Sequence, residues 1–243
     1  MYAHPCFINC MTKEKWGILQ KQIPRRINVM PRISEPPEWR EPEDVVVKAL
    51  QYMRRGGKAL DVGAGRGNNT ICLAHNGFKV HATDKDPKQL KRLQERATKA
   101  NRFLNQKIST EVRDVKQGIE GEFDTIMCNR VLHQMPRELA LAFVADMKQH
   151  TSKGGLNIIS AVMQSGDFWN AAQDRNRLNK MIFKDGFYAG ENELHILYDD
   201  WEILDYREEW KMYPMGNPED SLSAQKNKTA LLIARKPLVS HLN

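Results

Sequence analysis

The chain has 243 residues, with 37 Lys+Arg against 30 Asp+Glu and a formal net charge of +7. That length can bury a core in one large domain, or one domain with an appendage, without disulfides or a structural metal. No apolar run reaches the ~18 residues a membrane-spanning helix needs, and the basic excess favours an anionic partner without singling out nucleic acid.

Residues 1–41 carry scattered prolines and read as an N-terminal extension with at most one short helix around 12–20. Trp39 and Arg40 close it, and it is expected either to fold over the site as a lid or to trail as a tail. The opening "MYAHPCFINCMTKEKW" lacks a basic leader followed by an apolar region, so no signal peptide is expected. Met11 opens a more typical polar start. Cys6 and Cys10, with His4 nearby, have no second ligand pair at zinc spacing, so no metal site is expected. With Cys72 and Cys128 in apolar segments, the cysteines suit reduced thiols in a cytoplasmic protein.

From Pro42 the pattern is helical, with Val45, Val46, Ala49, Leu50 and Met53 as an apolar stripe, until "RRGGK" breaks it. Strands and helices then alternate: strand 58–62, helix 68–75, strand 79–84, an amphipathic helix over 86–104, strands 109–114 and 123–129, helix 137–150 and strand 154–163. Leu90, Leu93, Ala97, Ala100 and Leu104 are expected inward on the long helix, and Leu139, Ala142, Phe143 and Met147 on the later one. Residues 201–213 and 229–237 read as an antiparallel strand pair. This order predicts an α/β fold, a mostly parallel sheet with helices on both faces, and ligands at the carboxyl ends of its strands.

Chemistry enters at "LDVGAGRGNNT", residues 60–70. A P-loop needs a Lys-Ser/Thr pair where "RGNNT" stands, and a dinucleotide fingerprint needs glycine at Asn68. Both fail, leaving D-x-G-x-G-x-G from Asp61 to Gly67. Gly63 and Gly65 let the backbone approach a ligand, and the helix opening near Asn68 directs free N–H groups at the turn. A carboxylate suits that position better than a pyrophosphate.

Asp84 ends the second strand, 17 residues after Gly67, where a carboxylate can accept from both hydroxyls of a ribose. Asp114 closes the third strand and suits an exocyclic amine or an amide. The fourth strand runs into "CNRVLHQMP", putting Asn129, Arg130 and His133 at the same edge.

With these motifs the sequence resembles class I S-adenosylmethionine-dependent methyltransferases over about residues 42–237, on "LDVGAGRG", "ATDKDP", "RD" at 113–114, "FDTIMCNRVLH" and "KGG" at 153–155. The resemblance implies a Rossmann-like, seven-stranded sheet whose last strand is antiparallel, a methyltransferase domain over 42–243, and S-adenosylmethionine as cofactor. By position it implies Asp61, Gly63, Gly65 and Gly67 around the methionine part, Asp84 at the ribose, Asp114 and Val115 at the adenine and Asn129 on the sulfonium side, with Ala64, Lys85 and Arg130 as further cofactor-binding residues. Within that superfamily the chain is most similar to the tellurite-resistance type of small-molecule methyltransferase, through "GRGNNTICLAHNGFKVHATDKDP" and "FKDGFYAGENELHILYDDWEILDYREEW".

The expected reaction is in-line methyl transfer to a small acceptor such as a metalloid oxyanion or a thiol. His133 is the best-placed candidate should a base be needed, with packing or helix-end hydrogen bonding as its favoured role. Phe168, Trp169, Phe187 and Tyr188 either wall the acceptor pocket or belong to the core. Nucleic-acid methylation is the second reading, although "NRVLHQ" stands where base-amino methylation expects Asn/Asp-Pro-Pro-Tyr/Phe. A non-catalytic cofactor-binding protein is the third.

Overall fold

The computed structural model describes residues 42–174, 184–214 and 224–238. The expected extension, with Trp39, Arg40, Cys6, Cys10 and His4, lies outside the described residues. Two compact units meet in sequence at Val112 and Arg113.

In the first unit, α1 (Asp44–Ala49) buries Val45, Val46, Val47 and Ala49. It ends before Met53, but the N–H groups of Tyr52 and Met53 turn back onto the Ala49 carbonyl, so Leu50 and Met53 still reach the core. Three parallel strands follow, β1 (Lys58–Val62), β2 (Lys79–Asp84) and β3 (Ile108–Val112), registered as Leu60↔His81 and Ala82↔Thr110. Residues 59–62 are buried without alternation, the mark of a parallel strand covered on both faces.

Helix α2 (Asn68–His75) follows β1, and α3 (Pro87–Ala100) follows β2. Pro87 suits the first turn of α3, where the Asp86 carboxylate accepts the Lys88 N–H at 2.9 Å. Leu90, Leu93 and Ala97 face inward as expected. The helix stops at Ala100, short of the expected residue 104, because Asn101 is extended (φ −166°, ψ 121°). Ala100 is half-buried, and Leu104 reaches the core from a separate 3-10 turn, Leu104–Gln106.

In the second unit β4 (Phe123–Asn129) and β5 (Thr151–Gly166) pair in parallel, joined through α4 (Arg137–His150). The buried face of α4 is Ala140, Phe143, Val144 and Met147, an i, i+3, i+4, i+7 set. This corrects the expected set: Ala142 is exposed and Leu139 half-buried, because at ~100° per residue Ala142 falls almost opposite the centre of that face. Strand β5 outruns the expected 154–163, since its end finds a partner in β7 (Ala224–Arg235), with Gly166 opposite Asn227 after a register shift. Helices α5 (Asp167–Gln173) and α6 (Glu193–Leu197) precede β6 (Glu202–Pro214).

The seven strands form one sheet in the order β3-β2-β1-β4-β5-β7-β6, with β7 antiparallel to both β5 and β6. This is the Rossmann-like arrangement expected from the sequence. No helix among the described residues is long and apolar enough to cross a membrane.

Candidate cofactor and acceptor residues

The first unit assembles the glycine turn. Gly63, Gly65 and Gly67 all take left-handed backbone, with φ of 64°, 54° and 80°, a region where a Cβ is strongly disfavoured. The turn is laced by Ala64 N–H to the Thr83 carbonyl, Gly67 N–H to the Ala64 carbonyl, and Gly65 N–H to Asp84 Oδ2, each at 2.9 Å. The other oxygen of Asp84 accepts the Asp86 N–H at 2.9 Å. The carboxylate at the end of β2 is thereby fixed in orientation while each oxygen keeps a lone pair for a ligand. Lys85 beside it is exposed.

A methyl group built on Gly65 meets nothing within 4 Å, so the turn leaves open space at that residue. At Gly67 the same methyl would lie 2.3 Å from Leu93 Cγ, and this glycine is required by packing as well as by φ. Gly67 also occupies the N-cap of α2 without a side-chain cap of its own, and in the first turn the Thr70 N–H is taken by the Asp61 carboxylate.

Asp61 is 2% exposed and accepts the Thr70 hydroxyl at 2.5 Å. Burial pushes its carboxyl up to about 7, opposed by the Thr70 hydrogen bond and reinforced by the Asp84 charge. Asp61, Gly65 and Asp84 are thus brought together as the sequence suggested. Thr70 escaped sequence reasoning, because a hydroxyl nine residues on in a helix carries no spacing signal.

The second unit holds the remaining predicted residues. Asp114 is not a strand residue: β3 ends at Val112, and Asp114 caps a 3-10 turn over Val115–Gln117. Its carboxylate accepts the Lys116 N–H at 3.0 Å, and Gln117 Oε1 accepts the Asp114 N–H at 2.8 Å. The aspartate's preference for capping ends the strand early. Asp114 and Val115 are both half-buried.

Asn129 closes β4 with both amide atoms buried and without a hydrogen-bond partner among the described residues. Its register partner on β5, Ser160, has a buried hydroxyl in the same condition. Arg130 takes a left-handed φ of 58° and donates its N–H to the Ser160 carbonyl at 2.8 Å. Such strain in a non-glycine residue clusters at functional sites.

His133, in the 3-10 turn Leu132–Gln134, is 1% exposed, with neither ring nitrogen partnered among the described residues. Burial, and then the charge of Arg130, lower its pKa to about 3. Its ring lies 5.6 Å from Phe168 and 6.2 Å from Tyr188, and Trp169 packs edge-on to Tyr188 at 5.4 Å. Phe168, Phe187 and Tyr188 are core residues, and Trp169 is partly buried against them. Ser160 was missed by sequence reasoning, although a hydroxyl inside the apolar run "NIISAVM" was its signal.

A mixed seven-stranded sheet with a reversed β7 and a glycine turn after β1 places the chain among proteins of the class I methyltransferase type. A family model, "Tellurite resistance protein TehB", matches residues 41–216, and the chain belongs to the TehB family. It is 32% identical over 180 residues to the "Probable S-adenosyl-L-methionine-dependent methyltransferase TehB" of Haemophilus influenzae, an alignment covering 74% of this chain and 57% of that protein. The crystal structure of TehB from Haemophilus influenzae superposes with a TM-score of 0.65 at 29% identity, covering 81% of this chain and 63% of that one. The chain therefore spans under two thirds of the length of these relatives. Magnesium protoporphyrin IX methyltransferase from Synechocystis, solved with bound SAH, shares the fold at a TM-score of 0.58 and 18% identity, over 80% of this chain and 81% of that one.

Proposed function

We propose that this chain is an S-adenosylmethionine-dependent methyltransferase acting on a small, ionisable acceptor, a thiol or an oxyanion. The observation that carries the reading is Asp84, whose carboxylate is fixed by the Gly65 and Asp86 N–H groups beside a backbone facing open space. The names of the TehB relative and its family support the same donor.

The residues present fit the cofactor. Open space at Gly65 and the Asp84 carboxylate held in one orientation beside it are features an adenosyl amino acid needs. When bound, it supplies an electrophilic methyl group on a sulfonium. Asp84, with Lys85 beside it, takes the ribose hydroxyls. Asp61, Gly63, Ala64, Gly65 and Gly67 hold the methionine end, Asp114 and Val115 the adenine, and Asn129 and Arg130 the sulfonium side.

The chain's remaining task is to align and desolvate the acceptor. His133 orients it by hydrogen bonding and does not act as general base, because an imidazole held near 3 is a poor proton acceptor at neutral pH. The guanidinium of Arg130 favours an acceptor that arrives ionised. Residues 42–243 form the catalytic domain in this reading.

Calorimetric titration with S-adenosylmethionine tests the cofactor. The native chain is expected to bind, and Asp84→Ala to weaken binding about tenfold or more, the scale of hydrogen bonds to a charged group. Unchanged affinity in the variant overturns the assignment. A labelled-methyl transfer screen over thiols, oxyanions, small amines and RNA then identifies the acceptor, and transfer confined to RNA refutes the small-molecule reading.

A further inference from the structure

β6 lies at one end of the strand order, and among the described residues it pairs with β7 alone. It runs for 13 residues, and from Asp205 to Pro214 its register against β7 has no shift. A long edge strand without a bulge to twist it aside is a template for a further strand.

Its side chains carry an ordered pattern. Asp205, Arg207, Glu209 and Lys211 stand at every second position, so they share one face of the sheet, and they alternate in sign. Arg207 Nε lies 3.1 Å from Asp205 Oδ2, Arg207 Nη1 lies 3.3 Å from Glu209 Oε2, and Lys211 Nζ lies 3.4 Å from Glu209 Oε1. Tyr206, Glu208 and Trp210 take the other face, with Trp210 51% exposed. The Glu208 carboxylate is already compensated there, accepting from the Tyr206 hydroxyl and the Asn192 N–H at 2.6 Å and from Lys228 Nζ at 2.9 Å.

A row that alternates in sign over an even number of places is its own complement when reversed. Laid antiparallel against a second copy, with a two-fold axis through Glu208, the row sets Asp205 opposite the second copy's Lys211 and Arg207 opposite its Glu209. Moving the axis to Arg207 sets that residue against itself and Asp205 against Glu209. Moving it to Glu209 sets Glu209 against itself and Arg207 against Lys211. Like charges directly opposite destabilise a strand pair, so the row admits one register and rejects its neighbours. A guard of one sign, by contrast, would repel every copy. On the other face the same register lays Tyr206 opposite Trp210, an aromatic cross-strand pair that covers the exposed indole.

We propose that β6 is the interface of an isologous homodimer, two β6 strands pairing antiparallel about Glu208 so that two sheets become one. β6 runs parallel to β4 and β5, since β7 is antiparallel to both β5 and β6. Asn129 and His133 of the two copies therefore fall at opposite edges of the joined sheet, and the interface is separate from the candidate site. The inference does not depend on the cofactor reading.

Sedimentation of the full chain from low micromolar to sub-millimolar concentration tests it. The native chain is expected to pass from monomer to dimer. Arg207→Glu with Lys211→Glu makes the row wholly acidic, and Asp205→Lys with Glu209→Lys makes it wholly basic. Each double variant turns every charged cross-strand pair repulsive and is expected to weaken self-association about tenfold or more. Mixed in equal amounts, the two folded variants are expected to form a heterodimer at least as tight as the native homodimer, a recovery that general loss of structure cannot produce. A native chain that stays monomeric, variants that self-associate like the native chain, or a mixture of folded variants that stays monomeric overturns the proposal. Should a variant fail to fold, hydrogen exchange on the native chain decides: the β6 amides facing away from β7 are expected to gain protection as concentration rises, and dimerisation without that gain overturns the proposal.

Discussion

Gly65 and Gly67 stand two residues apart with the same left-handed backbone, φ 54° and 80°, yet replacing them by alanine should have different consequences. Either substitution forces a Cβ into the left-handed region, at a cost of roughly 1–2 kcal/mol. At Gly65 the methyl meets nothing within 4 Å, so backbone strain is the whole penalty. At Gly67 it meets Leu93 Cγ at 2.3 Å and Cδ1 at 2.8 Å, both on a buried side chain of α3. Overpacking of that kind adds roughly 1–3 kcal/mol, which brings Gly67→Ala to roughly 2–5 kcal/mol. Urea unfolding should therefore show a small loss for Gly65→Ala and a clearly larger one for Gly67→Ala. Calorimetry should show that Gly65→Ala, although folded, binds S-adenosylmethionine poorly, because the methyl enters the ligand's space. Leu93→Ala in the Gly67→Ala background should recover part of the overpacking term. Equal stability of the two single variants, with no recovery in the double one, refutes the reasoning.

The pH dependence of the cofactor-free protein should carry the signature of Asp61. Its pKa is raised from 3.8 to about 7, so the folded state binds the extra proton and stability rises as pH falls through that window; Asp61→Asn should flatten this trend in urea unfolding followed from pH 7.5 to 4.5. Tyr198 donates its hydroxyl to Asn157 Oδ1 at 2.9 Å in the buried part of the second unit, and Tyr198→Phe should lower stability by about 1–2 kcal/mol by orphaning that oxygen. An unchanged unfolding midpoint in Tyr198→Phe contradicts this assignment. Once an acceptor is found, His133→Asn should reduce methyl transfer without removing an ionisation near neutral pH from the rate profile; an acidic limb that vanishes in the variant makes His133 a base after all.

The glycine turn and the succession of strands and helices are legible in the sequence because they depend on local rules. Positive φ leaves few choices but glycine at 63, 65 and 67, and the uninterrupted burial of β1 shows as an apolar run. Asp114 was misread as a strand end because "STEVRD" keeps its β character up to the aspartate, whereas the capping box with Gln117 is a competing local use of the same side chain. The inward face of α4 was misjudged for a related reason. Alanine contributes so little to a hydrophobic pattern that Ala140 and Ala142 cannot be told apart until Phe143 and Val144 fix the phase. Thr70 is invisible in the sequence because its partner Asp61 lies on another element nine residues away, whereas Ser160 carries a signal, a hydroxyl within an apolar run, but its register neighbour Asn129 lies across the β4–β5 pairing.

In the proposed methyltransferase reading, His133 bears on which acceptors can be methylated. A neutral imidazole with a pKa near 3 would take a proton from an ordinary thiol, pKa ~8.5, at a cost of roughly 7 kcal/mol. Ionising the same thiol to solvent at neutral pH costs only about 2 kcal/mol, and the Arg130 guanidinium, close enough to depress His133, lowers that further. Loss of the acceptor's proton before it reaches His133 is therefore the cheaper route by several kcal/mol. An acceptor that ionises poorly, such as an aliphatic alcohol, gains nothing from this arrangement. In the proposed reading the unpartnered nitrogens of His133 and the amide of Asn129 would orient groups on an incoming anion, and that reading predicts faster transfer to thiolates and oxyanions than to neutral hydroxyls.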